Sequence, residues 1–118
     1  LVAARGPWFR VPVVWGNGLD RLRDFRAEVL IPHHGHAVEG AEKIDRLLID
    51  YRDAVQFVHD QTLRYMNKGY TPDEIKEVVT MPDRLRNHPW LGEYYGSYKH
   101  AIPAIFAGSL GWYQGCLL

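Results

Sequence analysis

Three histidines lie within four positions of one short stretch, His33, His34 and His36 in "LIPHHGHAVEG". Neutral imidazole is the commonest protein ligand for zinc, and a loop that follows a strand presents such ligands well. A zinc site needs three or four ligands, however, and neighbouring histidines on a loop point in different directions. We therefore expect one ligand from this cluster, or two at most. The spacing equally allows loop histidines that bond backbone carbonyls or face solvent.

The remaining histidines, His59, His88 and His100, offer no convincing further metal ligands, because they are scattered through the part of the chain with a helical pattern. We expect His59 to hydrogen-bond a neighbouring carboxylate or amide. The single cysteine, Cys116, excludes both an intramolecular disulfide and a cysteine-rich zinc module. No HExxH, GxSxG, P-loop or GxGxxG motif is present, and we predict no catalytic residue within this chain.

The elements that would position the histidine cluster are predicted from the first forty residues. Residues 1–15 contain two prolines and favour loop or edge strand, and Asn17-Gly18 is a turn signal. Apolar spacing predicts a short helix from Leu19 to Phe25, followed by a buried strand over residues 27–32. Helix, strand and polar loop follow each other in this order in layered α/β enzymes, where functional groups gather at the carboxyl ends of strands.

After Gly40 the pattern becomes helical. Apolar residues at helical spacing predict one amphipathic helix of about 25 residues, ending near Lys68 with Gly69 as its cap. Thr71 and Glu74 predict a capping box at the start of the next helix, with Pro72 at its first position.

The end of the chain is also expected to be helical. Pro82 and Pro89 bracket a short turn or helix, and a last helix is predicted from about Glu93 to Tyr113. Pro103 lies near the middle of that helix and implies a kink or two abutting helices.

Composition narrows the classes of function. Fourteen basic residues balance fourteen acidic ones, which points to neither nucleic acid nor a membrane surface. No apolar run approaches the roughly 20 residues that span a bilayer. One free cysteine is compatible with either the cytoplasm or an extracytoplasmic compartment, so localisation stays open. The chain starts without methionine and ends without a polar tail, and we expect it to be part of a longer protein.

The stretch "VHDQTLRYMNKGYTPDEIKEVVTMPDRL", with Tyr94-Tyr95-Gly96 and "LGWYQG" at 110–115, resembles the alkyl/aryl-sulfatase branch of the metallo-β-lactamase superfamily. The resemblance covers about residues 26–115. It implies an α/β fold class for residues 1–40, as the C-terminal part of a metallo-β-lactamase-like αββα sandwich. It implies an all-α helical dimerisation region, itself incomplete, for residues 41–118.

The resemblance also implies site residues. Members of the family hold two zinc ions, mostly through ligands upstream of this segment, with a last histidine in a paired motif that corresponds to His33-His34. We favour His34, because "VLIPHHG" aligns with a "VPGHG" form of the superfamily, with His33 as the alternative and His36 as a weaker candidate.

A basic segment of the family that binds sulfate aligns with "AARG" and makes Arg5 a candidate for substrate contact, with Arg10 as a second one. A guanidinium suits an oxyanion because its planar fork donates two parallel hydrogen bonds. The alternative, that Arg5 is an ordinary surface arginine, remains open.

The function implied by the resemblance is hydrolysis of a sulfate ester by zinc-activated hydroxide, in a homodimer that forms through the helical region. This segment alone is expected to be inactive. Gly35-His36 replaces the family's Trp-Pro, which puts the identity of the substrate in doubt more than the fold. Two alternatives remain: a non-catalytic helical dimerisation module, and a related metallo-hydrolase that acts on another ester.

Overall fold

The computed structural model describes residues 11–89 and 98–111, and every structural statement here concerns those residues. Within them no helix combines the length and the apolar character that a membrane span requires. Five helices and one two-stranded sheet follow in this order: α1 Pro12–Asp24, β1 Val29–Leu30, β2 Val38–Glu39, α2 Ala41–Met66, α3 Pro72–Val78, α4 Asp83–Arg86 and α5 Tyr98–Leu110.

Helix α1 begins earlier than the sequence predicts. The expected loop or edge strand up to residue 15 and the turn at Asn17-Gly18 are wrong for residues 11–18, which belong to the helix from Pro12 onwards. Proline at the first helical position has a suitable φ and needs no hydrogen-bond acceptor. Leu19 is buried where α1 lies along α2, and this packing outweighs the low helix propensity of the Asn-Gly pair.

Strand β1 is shorter and more exposed than predicted. The expected buried strand over residues 27–32 is reduced to Val29–Leu30, and Val29 is 51% exposed. β1 pairs antiparallel with β2, with Val29 opposite Glu39 and Leu30 opposite Val38. The prediction of burial is therefore wrong here, because β2 is the only strand that joins β1 in the described part of the chain. An αββα sandwich does not lie within those residues.

Helix α2 confirms the long amphipathic helix. Its 26 residues end in two backbone hydrogen bonds, Gly69 N–H to Met66 O at 2.9 Å and Tyr70 N–H to Tyr65 O at 3.1 Å. This is a Schellman ending, and Gly69 adopts the left-handed φ of 85° that it requires. The prediction of Gly69 as the cap is confirmed.

The start of α3 also follows the prediction. The Thr71 hydroxyl accepts a hydrogen bond from the Glu74 backbone N–H at 3.3 Å, and the Glu74 carboxylate accepts one from the Thr71 N–H at 2.7 Å. With Pro72 at the first helical position, the capping box is complete.

The last helices agree with their predictions where the structure describes them. Pro82 is the N-cap of the short helix α4. Helix α5 runs through Pro103 from Tyr98 to Leu110 as one helix, which excludes two abutting helices over these residues. The predicted beginning near Glu93 and the end at Tyr113 lie outside the described residues.

Two apolar cores hold these elements together. The N-terminal core lies between α1, β2 and the first half of α2, and it consists of Leu19, Val38, Ile44 and Leu48. The helical core lies between the second half of α2 and the helices that follow, and it consists of Ala54, Val58, Ile75, Val79, Met81, Leu85, Ile102 and Ile105. Tyr51 packs against both cores from its place in the middle of α2.

Candidate functional site

The histidine cluster lies on the loop that joins β1 to β2. Two backbone features shape this loop: the antiparallel pairing of the two short strands, and Gly35, whose φ of 99° suits a residue without Cβ. His33, His34 and His36 are all exposed. The rings of His33 and His34 have centroids 4.6 Å apart, with their planes at 71°. The loop therefore presents two adjacent imidazoles with different orientations.

This loop fits part of a metal site rather than a whole one. Exposed imidazoles on a loop are suitable zinc ligands, and the other ligands of the same zinc ion can come from other elements. Over residues 11–89 and 98–111, no group of three or more His, Cys, Asp or Glu side chains is placed to hold a metal ion. The donor set present is consistent with one or two ligands that complete a site formed with other residues.

Two other histidines, His59 and His88, lie beside carboxylates on the helical side. His59 Nδ1 is 3.0 Å from Asp60 Oδ1, which confirms the expected hydrogen bond to a neighbouring carboxylate. His88 Nε2 is 3.1 Å from Asp50 Oδ2, and this contact joins the segment that follows α4 to α2. These two histidines are thus engaged in contacts within the fold.

A network of alternating basic and acidic side chains, which the sequence analysis did not predict, runs across α1, α2 and α4. We call it the ion-pair network. It consists, in order of contact, of Asp45, Arg23, Asp20, Arg52, Asp53, Arg84, Asp50 and His88.

The half of the network that faces α1 is formed by two arginines. Arg23 on α1 bonds Asp45 at 2.7 Å and Asp20 at 3.0 Å. Arg52 on α2 bonds Asp20 at 2.7 Å and its neighbour Asp53 at 2.9 Å. Each arginine thus joins two carboxylates, and Asp20 is shared between both arginines.

The other half of the network joins α2 to α4. Arg84 bonds Asp53 at 3.0 Å and also contacts Asp50. Asp50 in turn contacts His88. Arg52 and Asp53 are therefore the link between the contacts made by α1 and those made by α4.

These contacts shift the titration of the groups involved. The hydrogen bond from Arg52 lowers the pKa of Asp20, and the hydrogen bond from Arg23 lowers the pKa of Asp45. The same contacts favour the charged form of the arginines, so the hydrogen bond to Asp53 raises the pKa of Arg52. The network is therefore fully ionised along these links at neutral pH.

The sequence contains a partial signal for the network. Asp20 and Arg23 have the i,i+3 spacing of a helical ion pair, and Asp50 and Asp53 have the same spacing on α2. The contacts between helices join residues 22 to 34 positions apart, which no local pattern predicts. The two candidate sulfate-binding residues, Arg5 and Arg10, lie outside the described residues.

Comparison with protein families adds a match to the second half of the chain. The family model described as alkyl sulfatase dimerisation matches residues 71–116. The match begins at Thr71, the N-cap of α3, and includes α3, α4 and α5.

Curated proteins similar to this chain are sulfatases. A linear primary-alkylsulfatase of a Pseudomonas species is 52% identical over 112 residues, which are 94% of this chain and 21% of that protein. An alkyl/aryl-sulfatase of Saccharomyces cerevisiae is 37% identical over 117 residues, 97% of this chain and 18% of that protein. The chain thus spans about a fifth of the length of the curated relatives it matches.

Part of a solved structure has the same fold as this chain. The stereoselective inverting sec-alkylsulfatase Pisa1 from a Pseudomonas species superposes with a TM-score of 0.86 at 32% identity. The superposition covers 97% of this chain and 19% of that one.

Proposed function

We propose that the chain belongs to the alkyl sulfatase family and that it forms part of a zinc-dependent sulfatase that hydrolyses a sulfate ester to an alcohol and sulfate. The observation that carries the proposal is the 52% identity, over 94% of the chain, to a protein named as a linear primary-alkylsulfatase. A sulfate ester with an alkyl group is accordingly the proposed class of substrate.

The histidine loop is the proposed contribution of this chain to the metal centre. His34 would hold zinc, with His33 as the alternative ligand, and the exposure of both imidazoles beside each other supports this role. What zinc supplies when bound is water activation at neutral pH, because coordination lowers the pKa of water to about 7. His34 would coordinate zinc through a neutral ring nitrogen, and the pairing of β1 with β2 anchors the loop that carries it.

Arg5 and Arg10 are the proposed contacts to the sulfate group. A guanidinium stays protonated across the working pH range and can donate two parallel hydrogen bonds to the oxyanion. This role rests on the alignment of "AARG" with the basic segment of the family.

Residues 1–40 are proposed to be the C-terminal part of a metallo-β-lactamase-like α/β sandwich. Exposure supports this assignment: seven of the nine exposed large apolar side chains in the described part of the chain lie between residues 11 and 31. Phe25 and Ile31 are 77% and 80% exposed. Such a concentration of apolar surface is typical of a face that is buried against another part of a protein.

The helices after Gly40 are proposed to form a homodimer. The match of residues 71–116 to a dimerisation domain supports this role. The same match favours the main alternative, a helical module that dimerises without chemistry. The two proposals differ in whether zinc is bound and sulfate released.

The test uses the longer polypeptide that we propose carries this chain. Bound zinc is measured by mass spectrometry, and sulfate release from dodecyl sulfate is measured for the wild type and for His34→Ala, His33→Ala and His36→Ala. We expect about two zinc ions per chain and sulfate release, with the largest loss of both in His34→Ala. A larger loss in His33→Ala or His36→Ala would move the ligand to that residue.

The remaining outcomes separate the alternatives. Zinc binding without release of sulfate contradicts the sulfatase and favours a metallo-hydrolase for another ester. Absence of zinc contradicts the catalytic proposal and favours the dimerisation module. The oligomeric state of the same sample is measured by analytical ultracentrifugation. A molar mass of one polypeptide would contradict the dimer.

A further inference from the structure

The two apolar cores meet at a single turn of α2. Tyr51 packs against both cores, and its ring lies edge-on to the Trp15 ring of α1 with centroids 5.7 Å apart. The neighbouring residues of the turn, Asp50, Arg52 and Asp53, carry the central contacts of the ion-pair network. One turn thus joins the histidine-loop side of the fold to the helical side through both apolar and charged contacts.

The charged contacts in this turn form a continuous path. Asp20 on α1 bonds Arg52, which bonds Asp53, which bonds Arg84 on α4. Without the carboxylate of Asp20, Arg52 keeps Asp53 as its carboxylate partner, and we expect Arg52 to compete more strongly with Arg84 for that group. We therefore expect a change on α1 to alter the environment of Arg84 on α4 without direct contact between the two residues.

We propose that the turn Asp50–Asp53 of α2 is a coupling element, through which α1 and α4 affect each other's stability. This inference does not depend on sulfate ester hydrolysis or on zinc. It concerns a link between the side of the fold that carries the histidine loop and the region matched by the dimerisation model, which contains α4.

The expected size of the coupling depends on how much of each charged side chain in the network is exposed to solvent. The side chains of Arg52 and Asp53 are 26% and 31% exposed, and that of Arg84 is 57% exposed. Isolated ion pairs at such positions contribute little, because water and salt screen them. Members of one connected network nevertheless show non-additive effects on mutation. The observable consequence is therefore non-additivity rather than a large loss of stability.

The experiment is a triple-mutant cycle on this chain. Asp20→Ala and Arg84→Met are measured singly and together by urea unfolding with circular dichroism, first in the wild type and then in an Arg52→Met background. We expect the double variant to depart from additivity by about five-fold in the unfolding equilibrium constant. In the Arg52→Met background the departure is expected to fall within about two-fold, the usual limit for independent sites.

A matched control uses an ion pair outside the network. Asp73 bonds Lys76 on the exposed side of α3 at 2.8 Å. Asp73→Ala combined with Arg84→Met is expected to be additive. Additivity of Asp20→Ala and Arg84→Met in the wild type would overturn the proposal. Non-additivity that survives Arg52→Met would overturn the path through Arg52.

A second way of breaking the path covers the case in which Arg52→Met does not fold. Asp53→Asn keeps the shape of the side chain but removes the charge that links Arg52 to Arg84. The departure from additivity is expected to disappear in this background too. It is also expected to weaken in about 1 M salt, where the screening length falls to about 3 Å. Persistence under both conditions would contradict coupling through charge.

Discussion

Arg26 adopts a backbone conformation that residues with a Cβ atom rarely take, with φ at 48° directly after the end of α1. Its N–H donates to the carbonyl of Arg23 at 3.1 Å, which closes the last turn of the helix. Glycine is the usual residue at this position because it meets no steric penalty there. The sequence does not predict this strain, since no residue type near Arg26 indicates that its backbone adopts the left-handed conformation.

Arg26→Gly is therefore expected to stabilise the chain by about 0.5–1 kcal/mol. This is the difference between the relief of steric strain in the folded state and the entropic cost of the more flexible glycine in the unfolded state. Urea unfolding measures the change. Arg21→Gly is the matched control, because Arg21 is exposed inside α1 and the change should destabilise by about 1 kcal/mol. Destabilisation by Arg26→Gly would show that its side chain makes a contribution that outweighs the strain.

Glu74 is a residue whose titration affects stability. The hydrogen bond from the Thr71 backbone N–H, together with that from its hydroxyl, lowers the pKa of Glu74 below its ordinary value of 4.5. A carboxyl group with a lowered pKa in the folded state contributes stability above its ordinary pKa. That contribution is lost as the pH falls through the lower value of the folded state.

We predict that Glu74→Gln is less stable than the wild type at pH 7 and that this difference shrinks as the pH falls below about 4. Urea unfolding of both proteins across that range is the measurement. Glu77, which lies on the same helix outside the capping box, serves as the control through Glu77→Gln. A difference for Glu74→Gln that is independent of pH would contradict the role of its charge.

At the scale of elements, two glycines show how position decides the effect of the same substitution. Gly18 lies inside α1 with ordinary φ, and Gly69 ends α2 with φ of 85°. A Cβ atom added to either would meet nothing within 4 Å. An added Cβ atom therefore causes no clash with other residues at either position, and the two sites differ only in backbone conformation.

Gly18→Ala is expected to stabilise the chain by about 0.8–1 kcal/mol, the difference in helix propensity. Gly69→Ala is expected to destabilise it by about 1 kcal/mol, because alanine is strained in the left-handed conformation. Thermal or urea unfolding of the two variants beside the wild type checks both signs. Effects of equal sign would contradict the assignment of Gly69 as the residue that ends α2.

For the whole molecule, apolar surface is distributed unevenly. Val14 and Leu22 on α1 and Phe25 at its C-cap follow the 3.6-residue period and are 67%, 48% and 77% exposed. Leu19, one turn before Leu22, is buried against α2 in the N-terminal core. Helix α1 thus exposes apolar side chains beside those that it buries on α2, which is expected of a helix covered on more than one side.

The exposed face of α1 is expected to bind a hydrophobic dye. In this chain, Leu22→Gln combined with Phe25→Gln should lower the fluorescence of bound anilinonaphthalene sulfonate clearly, while the unfolding free energy changes by less than about 0.5 kcal/mol. Val78→Gln with Leu110→Gln is the control, because those side chains are exposed and lie outside α1. Equal loss of fluorescence in both double variants would contradict a contiguous apolar surface on α1.

Sequence reasoning succeeded where the determinants are local. The capping box of Thr71 and Glu74, the glycine end of α2 and its amphipathic pattern each depend on residues within one or two turns of each other. It predicted the second half of α1 from Leu19 onwards but failed over the first half, where Pro12 and Asn17-Gly18 suggested loop and turn. There the packing of α1 on α2 decided the outcome, and a local pattern does not contain it.

By itself, the sequence determined the long helix, its caps and the resemblance to the alkyl sulfatase family, because each is carried by residue types at short, regular spacing. Only the tertiary structure decided where α1 begins, how exposed β1 is, and that Asp20 meets Arg52 while Asp53 meets Arg84. The residues of those two pairs are 32 and 31 positions apart. Their contact depends on how the helices pack, which is set by the two apolar cores and not by the charged residues themselves.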